Sequence, residues 1–313
     1  MGPSRESPQK DPTWRFIAIA DEVVSLIRGK IEEVILPVRK VDIIVSEWMG
    51  YCLLYEAMLD SVLYARDKYL DPQAGIMVPS HINLVISTLS DSEFINDRVN
   101  FWNEIYGFKM TAMKEKIDED VMITGVGKKS LSSTPVTFCH LPLAKVTVEE
   151  LSFIKEFELV IDGGGDSAVE PSKKEQDKET EEEWREIDRL DGFLIYFDTF
   201  FLPHSPPYQP SAISASSRAE TWKYYNSQTG GKGVAFTTGP YRTITHWQQG
   251  VLLINEGKKT KGEMRKGDKV VGKIGYRKRK ENSRELEIDM SWEVQRTGSS
   301  TKEKERKQMW YMR

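Results

Sequence analysis

Apolar and polar positions change texture near residue 80. Up to Pro79 the apolar residues fall in short unbroken runs around one long helical pattern; from His81 onward they fall in β-type runs. EVVSLI (22–27) is β-rich and closed by Arg28-Gly29, and VDIIVS (41–46) is almost wholly apolar. Such runs predict strands covered on both faces, as in parallel sheets. Between them, GKIEEVILPVRK is a connection broken by Pro37. After Gly50, the stretch YCLLYEAMLDSVLYARDKYL has neither Gly nor Pro. Tyr51, Leu54, Tyr55, Met58, Leu59, Val62 and Leu63 recur at helical spacing, which predicts an amphipathic helix there. Pro72, Gly75 and Pro79 stop any helix.

Beyond His81, the runs INLVIST, KVTVEELSFIKEFELVID, DGFLIYFDTFF, GVLLIN, DKVVGKIGYRK and RELEIDMSWEVQ are separated by turn chemistry. Successive strands without long helices between them predict an antiparallel sandwich or barrel. One helical piece, SEFINDRVNFWNEIYGF, interrupts near the start. The architecture expected is therefore α/β followed by β: about one βαβ unit, then a mostly β domain. The first dozen residues are polar and expected to be disordered. Residues 163–186, charged and without apolar periodicity, are expected to form a flexible acidic insertion, and residues 203–233, rich in Pro, Ser and Gly, a second long loop. The basic KEKERK (302–307) is expected to be a solvated face.

Composition narrows this picture only modestly. The chain has 313 residues, 39% hydrophobic and 29% charged, with a formal net charge of −4. That balance suits a soluble globular protein and gives no bulk reason for nucleic-acid or membrane binding. Cys52 and Cys139 lie far apart in apolar contexts and offer neither a disulfide framework nor a zinc site, so a reducing compartment is expected. No run approaches the ~18 apolar residues of a membrane span. The opening MGPSRESPQKDP lacks a secretory apolar core, and Glu6 breaks the myristoylation pattern. A cytosolic location, with the nucleus also open, is the expectation. Gly163, Gly165 and Ala168 match G-x-G-x-x-A after FELVID, but the acidic residues that follow carry no apolar stripe and would repel a nucleotide phosphate.

The candidate chemistry lies in SEWMGYCLLYE (46–56). Glu47 stands at the carboxyl edge of the VDIIVS strand, where ligands sit in open α/β sheets. Glu56 is expected in the second turn of the following helix, folded back beside Glu47. Paired carboxylates repel unless a cation comes between them or one is protonated, and a planar guanidinium satisfies two at once. The residues alone leave a second possibility open, in which Glu47 caps the helix and Glu56 is solvated surface.

The string SEWMGYCLLYE closely resembles the double-glutamate loop of the protein arginine N-methyltransferases. LIRGKIEEV and LPVRKVDIIVSEWMGY continue the likeness upstream, and TITHWQQGVLLI resembles the family's Thr-His-Trp loop, here Thr245, His246 and Trp247. VNFWNEIYGF and the closing MWYMR also resemble family signatures, and the branch that methylates ribosomal proteins is the nearest in pattern. The resemblance implies a partial Rossmann-like S-adenosylmethionine-dependent methyltransferase domain over 21–79. A β-barrel-like substrate domain would follow over 80–313, with a helical dimerisation arm at about 106–130. It implies that Glu47 and Glu56 grip a substrate guanidinium. Glu56 would take the released proton, His246 would give structural and electrostatic support, and Trp247 would close the substrate pocket. Glu32, with Ile31 beside it, would hold the adenine amino group of S-adenosylmethionine, and Met58 would line the active site. No metal is implied. The product implied is asymmetric dimethylarginine, and the partners are arginine-bearing proteins (a ribosomal protein, Gly/Arg-rich proteins or histones) and a second copy of the chain.

One departure sets a further expectation. Ahead of Asp21 the sequence has no strand leading into G-x-G, no acidic ribose ligand and no helices to lid a cofactor. The chain as written is expected to bind S-adenosylmethionine poorly. It would then be either a truncated form of an active enzyme or a non-catalytic binding and dimerisation remnant.

Overall fold

The computed structural model describes residues 25–163, 187, 189–202, 233–259, 263–298 and 303–313. The polar N-terminal segment, nearly all of the acidic insertion with its G-x-G-x-x-A, and nearly all of the 203–233 loop lie outside them.

One βαβ unit opens the described chain. Strand β1 (Ile43–Val45) leads through a loop to helix α1 (Leu59–Tyr69) and on to β2 (Ile76–Val78), which pairs with β1 in parallel. The α1 helix buries Leu59 and Leu63 in the main core. Its Arg66 guanidinium reaches across to the carbonyl oxygens of Leu143 (2.8 Å) and Val146 (2.6 Å). Two expectations fail here. Residues 25–27, the described part of the EVVSLI run, form no strand, and β1 is not covered on both faces, since Ile43 is 54% and Val45 67% exposed. Among the described residues no layer packs on that face.

The remainder is β. Strands β3 (His81–Leu89) and β7 (Gly192–Phe201) pair antiparallel over nine residues and are buried nearly throughout, as continuous apolar runs require. They centre a six-stranded sheet with β5 (Val136–Pro142) at one edge. On the other side lie β9 (Gln249–Leu253) and then β4 (Met122–Thr124), while β8 (Val234–Thr237) pairs with the far end of β7. A second antiparallel sheet runs in the order β12 (Arg306–Met312), β11 (Leu286–Gln295), β10 (Lys269–Lys278), β6 (Phe153–Val160). Strand β11 shows period-2 burial: Leu286, Ile288, Met290, Trp292 and Val294 point inward while the residues between them face out. The two inner faces meet at Phe193 and Trp292, whose rings stand edge to face at 5.4 Å.

The expected barrel is not closed by continuous ladders. The sheets are joined at both edges by isolated bridges, Asp120 with Tyr311 and Ser133 with Ile161. At the first seam β4 spans only three residues, too few to carry a second ladder. The helical arm is also not seen. After α2 (Ser92–Arg98), capped by the Asp91 carboxylate on the Phe94 N–H, come 3-10 turns at Asn100–Asn103, Thr111–Lys114 and Lys128–Ser130. Within 106–130 no α-helix forms, because Tyr106, Gly107 and Lys116 adopt positive φ and break the helical ladder. The basic 302–307 segment is likewise not wholly solvated: Arg306 opens β12 and pairs with Glu303 at 2.7 Å.

A buried carboxylate anchors the outer end of the second sheet. Asp268, fully buried, accepts from the N–H groups of Arg265 (2.9 Å) and Thr297 (2.8 Å) and from Arg296 Nη1 (3.0 Å). Burial alone would raise its pKa, but these three donors outweigh burial and hold it below the usual aspartate value. Its stabilisation is therefore complete above about pH 4, the ordinary aspartate range, and is lost as pH falls through the lowered native value. The denaturation midpoint is expected to fall on acidification below that range, and an Asp268→Asn variant to lack that part of the fall. Parallel pH profiles would show that Asp268 is not the group responsible.

Candidate functional site

The residues from Glu47 to Ala57 do not continue into a helix. Gly50 and Leu53 exchange backbone hydrogen bonds (2.9 and 3.0 Å), which turns the chain back on itself. Cys52, Leu53, Glu56 and Ala57 all take positive φ, between 46° and 75°. Non-glycine residues pay for such geometry in strain, which persists only when packing enforces it. Here Trp48, Met49, Cys52, Leu53 and Leu54 are buried in the main core. A Cβ on Gly250, in β9, would overlap the Cys52 sulfur, so glycine is needed for this approach. Tertiary packing overrides the helical periodicity of 51–58, and Glu56 lies in a left-handed turn rather than on a helix.

This reversal places the two glutamates on opposite limbs, each three residues outside the bridged pair. Glu47 is exposed and makes no hydrogen bond or ion pair among the described residues. Glu56 is held twice by Arg284, from the turn between β10 and β11. Its N–H donates to the Arg284 carbonyl (2.8 Å), and its Oε1 accepts from Arg284 Nη2 (3.0 Å). Arg284 was not foreseen; it lies 228 residues from Glu56 and nothing local marks it.

The loop of Thr245, His246 and Trp247 meets the same reversal. The indole Nε1–H of Trp247 donates to the Met49 carbonyl at 2.7 Å. Its ring stacks on Phe236 (5.6 Å) and stands edge to face on Phe197 (5.7 Å). His246 is exposed, lies against the indole at 3.8 Å and makes no hydrogen bond among the described residues. It serves here by packing. The two cysteines are free and buried, and burial pushes each thiol up to about 12, so neither is a nucleophile at neutral pH.

Glu32 and Ile31 lie in the turn before β1. The Glu32 carbonyl accepts from the Tyr64 hydroxyl (3.2 Å) and the Val34 carbonyl from that of Tyr69 (3.0 Å), so α1 holds this turn. Met58 is the N-cap of α1 and packs half-buried on the core. Met58 and Tyr64 are thus about 9 Å apart along the helix at 1.5 Å per residue. The Glu32 carboxylate is exposed, an open acceptor beside half-buried Ile31. That pair fits the amino edge of a purine; the ribose and amino-acid ends of an adenosyl cofactor find no counterpart among the described residues.

A groove of about 510 Å³ lies elsewhere, over the outer face of the four-stranded sheet. Its Glu156 and Glu158 are paired with Lys273 (3.2 Å) and Lys269 (2.7 Å), and none of the residues above lines it.

A family model described as the arginine methyltransferase oligomerization subdomain matches residues 81–229 and 217–297. Ribosomal protein arginine N-methyltransferase rmt3 of Schizosaccharomyces pombe is 36% identical over 276 residues, 88% of this chain and 42% of the relative. Protein arginine N-methyltransferase 1 of Dictyostelium discoideum is 31% identical over 272 residues, 87% of this chain and 64% of that protein. The chain therefore spans about half the length of the curated relatives it matches. Among solved structures, the Trypanosoma brucei PRMT1 enzyme-prozyme heterotetrameric complex with AdoHcy superposes with a TM-score of 0.65 at 26% identity, covering 92% of this chain and 73% of that one. Arabidopsis thaliana protein arginine methyltransferase 10 shares the fold, with a TM-score of 0.63 at 23% identity over 91% of this chain and 74% of that one.

Proposed function

This chain belongs to the arginine methyltransferase family, and from that membership we propose that it acts as an S-adenosylmethionine-dependent protein arginine N-methyltransferase. The observation that carries the site is the Trp247–Met49 hydrogen bond, which seats an aromatic loop of the β domain on the reversal bearing Glu47 and Glu56.

A guanidinium is a poor nucleophile because its lone pairs are delocalised over three nitrogens. Two carboxylates on its far edge draw positive charge away from the remaining terminal nitrogen and orient it for attack. Glu47 and Glu56 have that role, and Glu56 takes the proton released after transfer. Trp247 walls the guanidinium off from water, and His246 supports the indole from its outer side. Glu32 would accept from the adenine amino group, with Ile31 against the ring and Met58 toward the reacting end. S-adenosylmethionine supplies, when bound, the electrophilic methyl group. The product proposed is asymmetric dimethylarginine, on ribosomal, Gly/Arg-rich or histone substrates, in the cytosol and nucleus. Homodimer formation is part of the same proposal; the matched family model is named for oligomerisation, and the trypanosomal relative is a heterotetramer.

A second reading, a binding and dimerisation module without chemistry, is favoured by one observation: Glu32 offers an acceptor with no ribose ligand beside it among the described residues. Labelled methyl transfer separates the two. The catalytic reading requires label on an arginine peptide and none on its lysine counterpart, together with heat on calorimetric titration with S-adenosylmethionine. Absence of both label and heat would rule out catalysis by the chain as written.

A further inference from the structure

The turn between β10 and β11 is strongly basic: RKRKENSR occupies 277–284. Its cations are placed differently. Arg279 is spent within the hairpin, on Glu285, and Lys278 pairs with Asp60 of α1. Arg284 alone is turned onto Glu56. Asn282 organises this, accepting from the Arg284 N–H (3.1 Å) and donating through Nδ2 to Glu285 (3.0 Å).

We propose that the Arg284 guanidinium is an internal competitor for the guanidinium clamp and so sets the affinity for arginine-bearing substrates. This rests on the reading of Glu47 and Glu56 as that clamp. The group that occupies Glu56 is chemically the group the clamp would bind. A substrate arginine therefore meets one paired carboxylate and one open one, rather than two open ones. The contact is also easily displaced. It is made by one guanidinium nitrogen on one carboxylate oxygen, not as a bidentate fork, and the side chains are 55% and 39% exposed.

The Arg284 side chain is not what holds the reversal in place. The Glu56 N–H bond to the Arg284 carbonyl survives any substitution at 284, as do the Lys278–Asp60 pair and the buried Cys52 and Leu53. Removing the guanidinium thus frees the carboxylate without releasing the loop. A side chain that merely positioned Glu56 would have the opposite effect on substrate binding.

Calorimetric titration of the full chain with an arginine-bearing peptide tests this. Arg284→Gln is expected to bind the peptide up to about fivefold tighter, the range an exposed ion pair allows. Arg284→Lys, which keeps the competing charge, should stay near the parent affinity. The double variant Arg284→Gln/Glu56→Gln should lose the gain. Equal or weaker binding by Arg284→Gln, while Glu47→Gln still abolishes binding, would overturn the competitor and leave the clamp standing. Weaker binding together with a lower thermal midpoint would make Arg284 a structural support instead. No peptide binding by the parent or any variant would remove the clamp and the competitor together.

Discussion

Glu47→Gln is expected to lower kcat/KM for an arginine peptide by about 10²–10³-fold, the cost of losing one well-placed electrostatic partner of the transition state. The substitution preserves size and shape while removing the charge. It also replaces an acceptor oxygen by an N–H₂ that faces the donors of the guanidinium. Glu47 is the more informative of the two glutamates because it makes no hydrogen bond or ion pair among the described residues, so its change leaves the bonds of the reversal intact. Glu56→Gln also breaks the bond to Arg284, and its effect on rate mixes two causes. Initial rates with labelled methyl donor, on protein whose near-UV circular dichroism matches the parent, give the comparison. Unchanged turnover would take Glu47 out of the site.

Trp292→Ala is expected to destabilise the fold by about 3–5 kcal/mol, the range for removing a large aromatic from a packed core. Trp292 is fully buried at the meeting of the two sheets, between Phe193 (5.4 Å) and Trp310 (6.4 Å). Both neighbours are themselves fully buried within strands. Its Nε1–H is buried with no hydrogen-bond partner among the described residues. Trp292→Phe should therefore cost much less than the alanine change, because it keeps most of the volume and removes an unsatisfied donor. Urea denaturation midpoints read both. A loss below about 1 kcal/mol for the alanine variant would mean that Trp292 is not the packing centre.

The sheets were legible in the sequence because period-2 burial and unbroken apolar runs are properties of each strand alone. Strand β11 alternates residue by residue, and β3 and β7 carry long apolar runs and are buried along nearly their whole length. The loop bearing the glutamates was legible as a motif but not as a conformation. Its apolar residues recur at helical spacing, yet Cys52 is drawn onto Gly250, and that contact lies about 200 residues away in the chain. The pairing of Glu56 with Arg284 was illegible for the same reason. Ion pairs of long separation leave no local pattern, and a basic turn reads as solvated whichever carboxylate it finds. The exposed β1 face was missed because an apolar run reports what a strand prefers, not whether another layer covers it.

Arg66 gives the molecule a mechanical property. Its side chain, 9% exposed, leaves α1, and the guanidinium ends on two carbonyl oxygens of the 143–146 loop, with the Asp67 carboxylate on its other side at 2.7 Å. Swinging the helix away from the sheets would strip the guanidinium of both carbonyl acceptors and leave it only Asp67. These two bonds tie α1 to the 143–146 loop. Amide exchange is expected to be slow in α1.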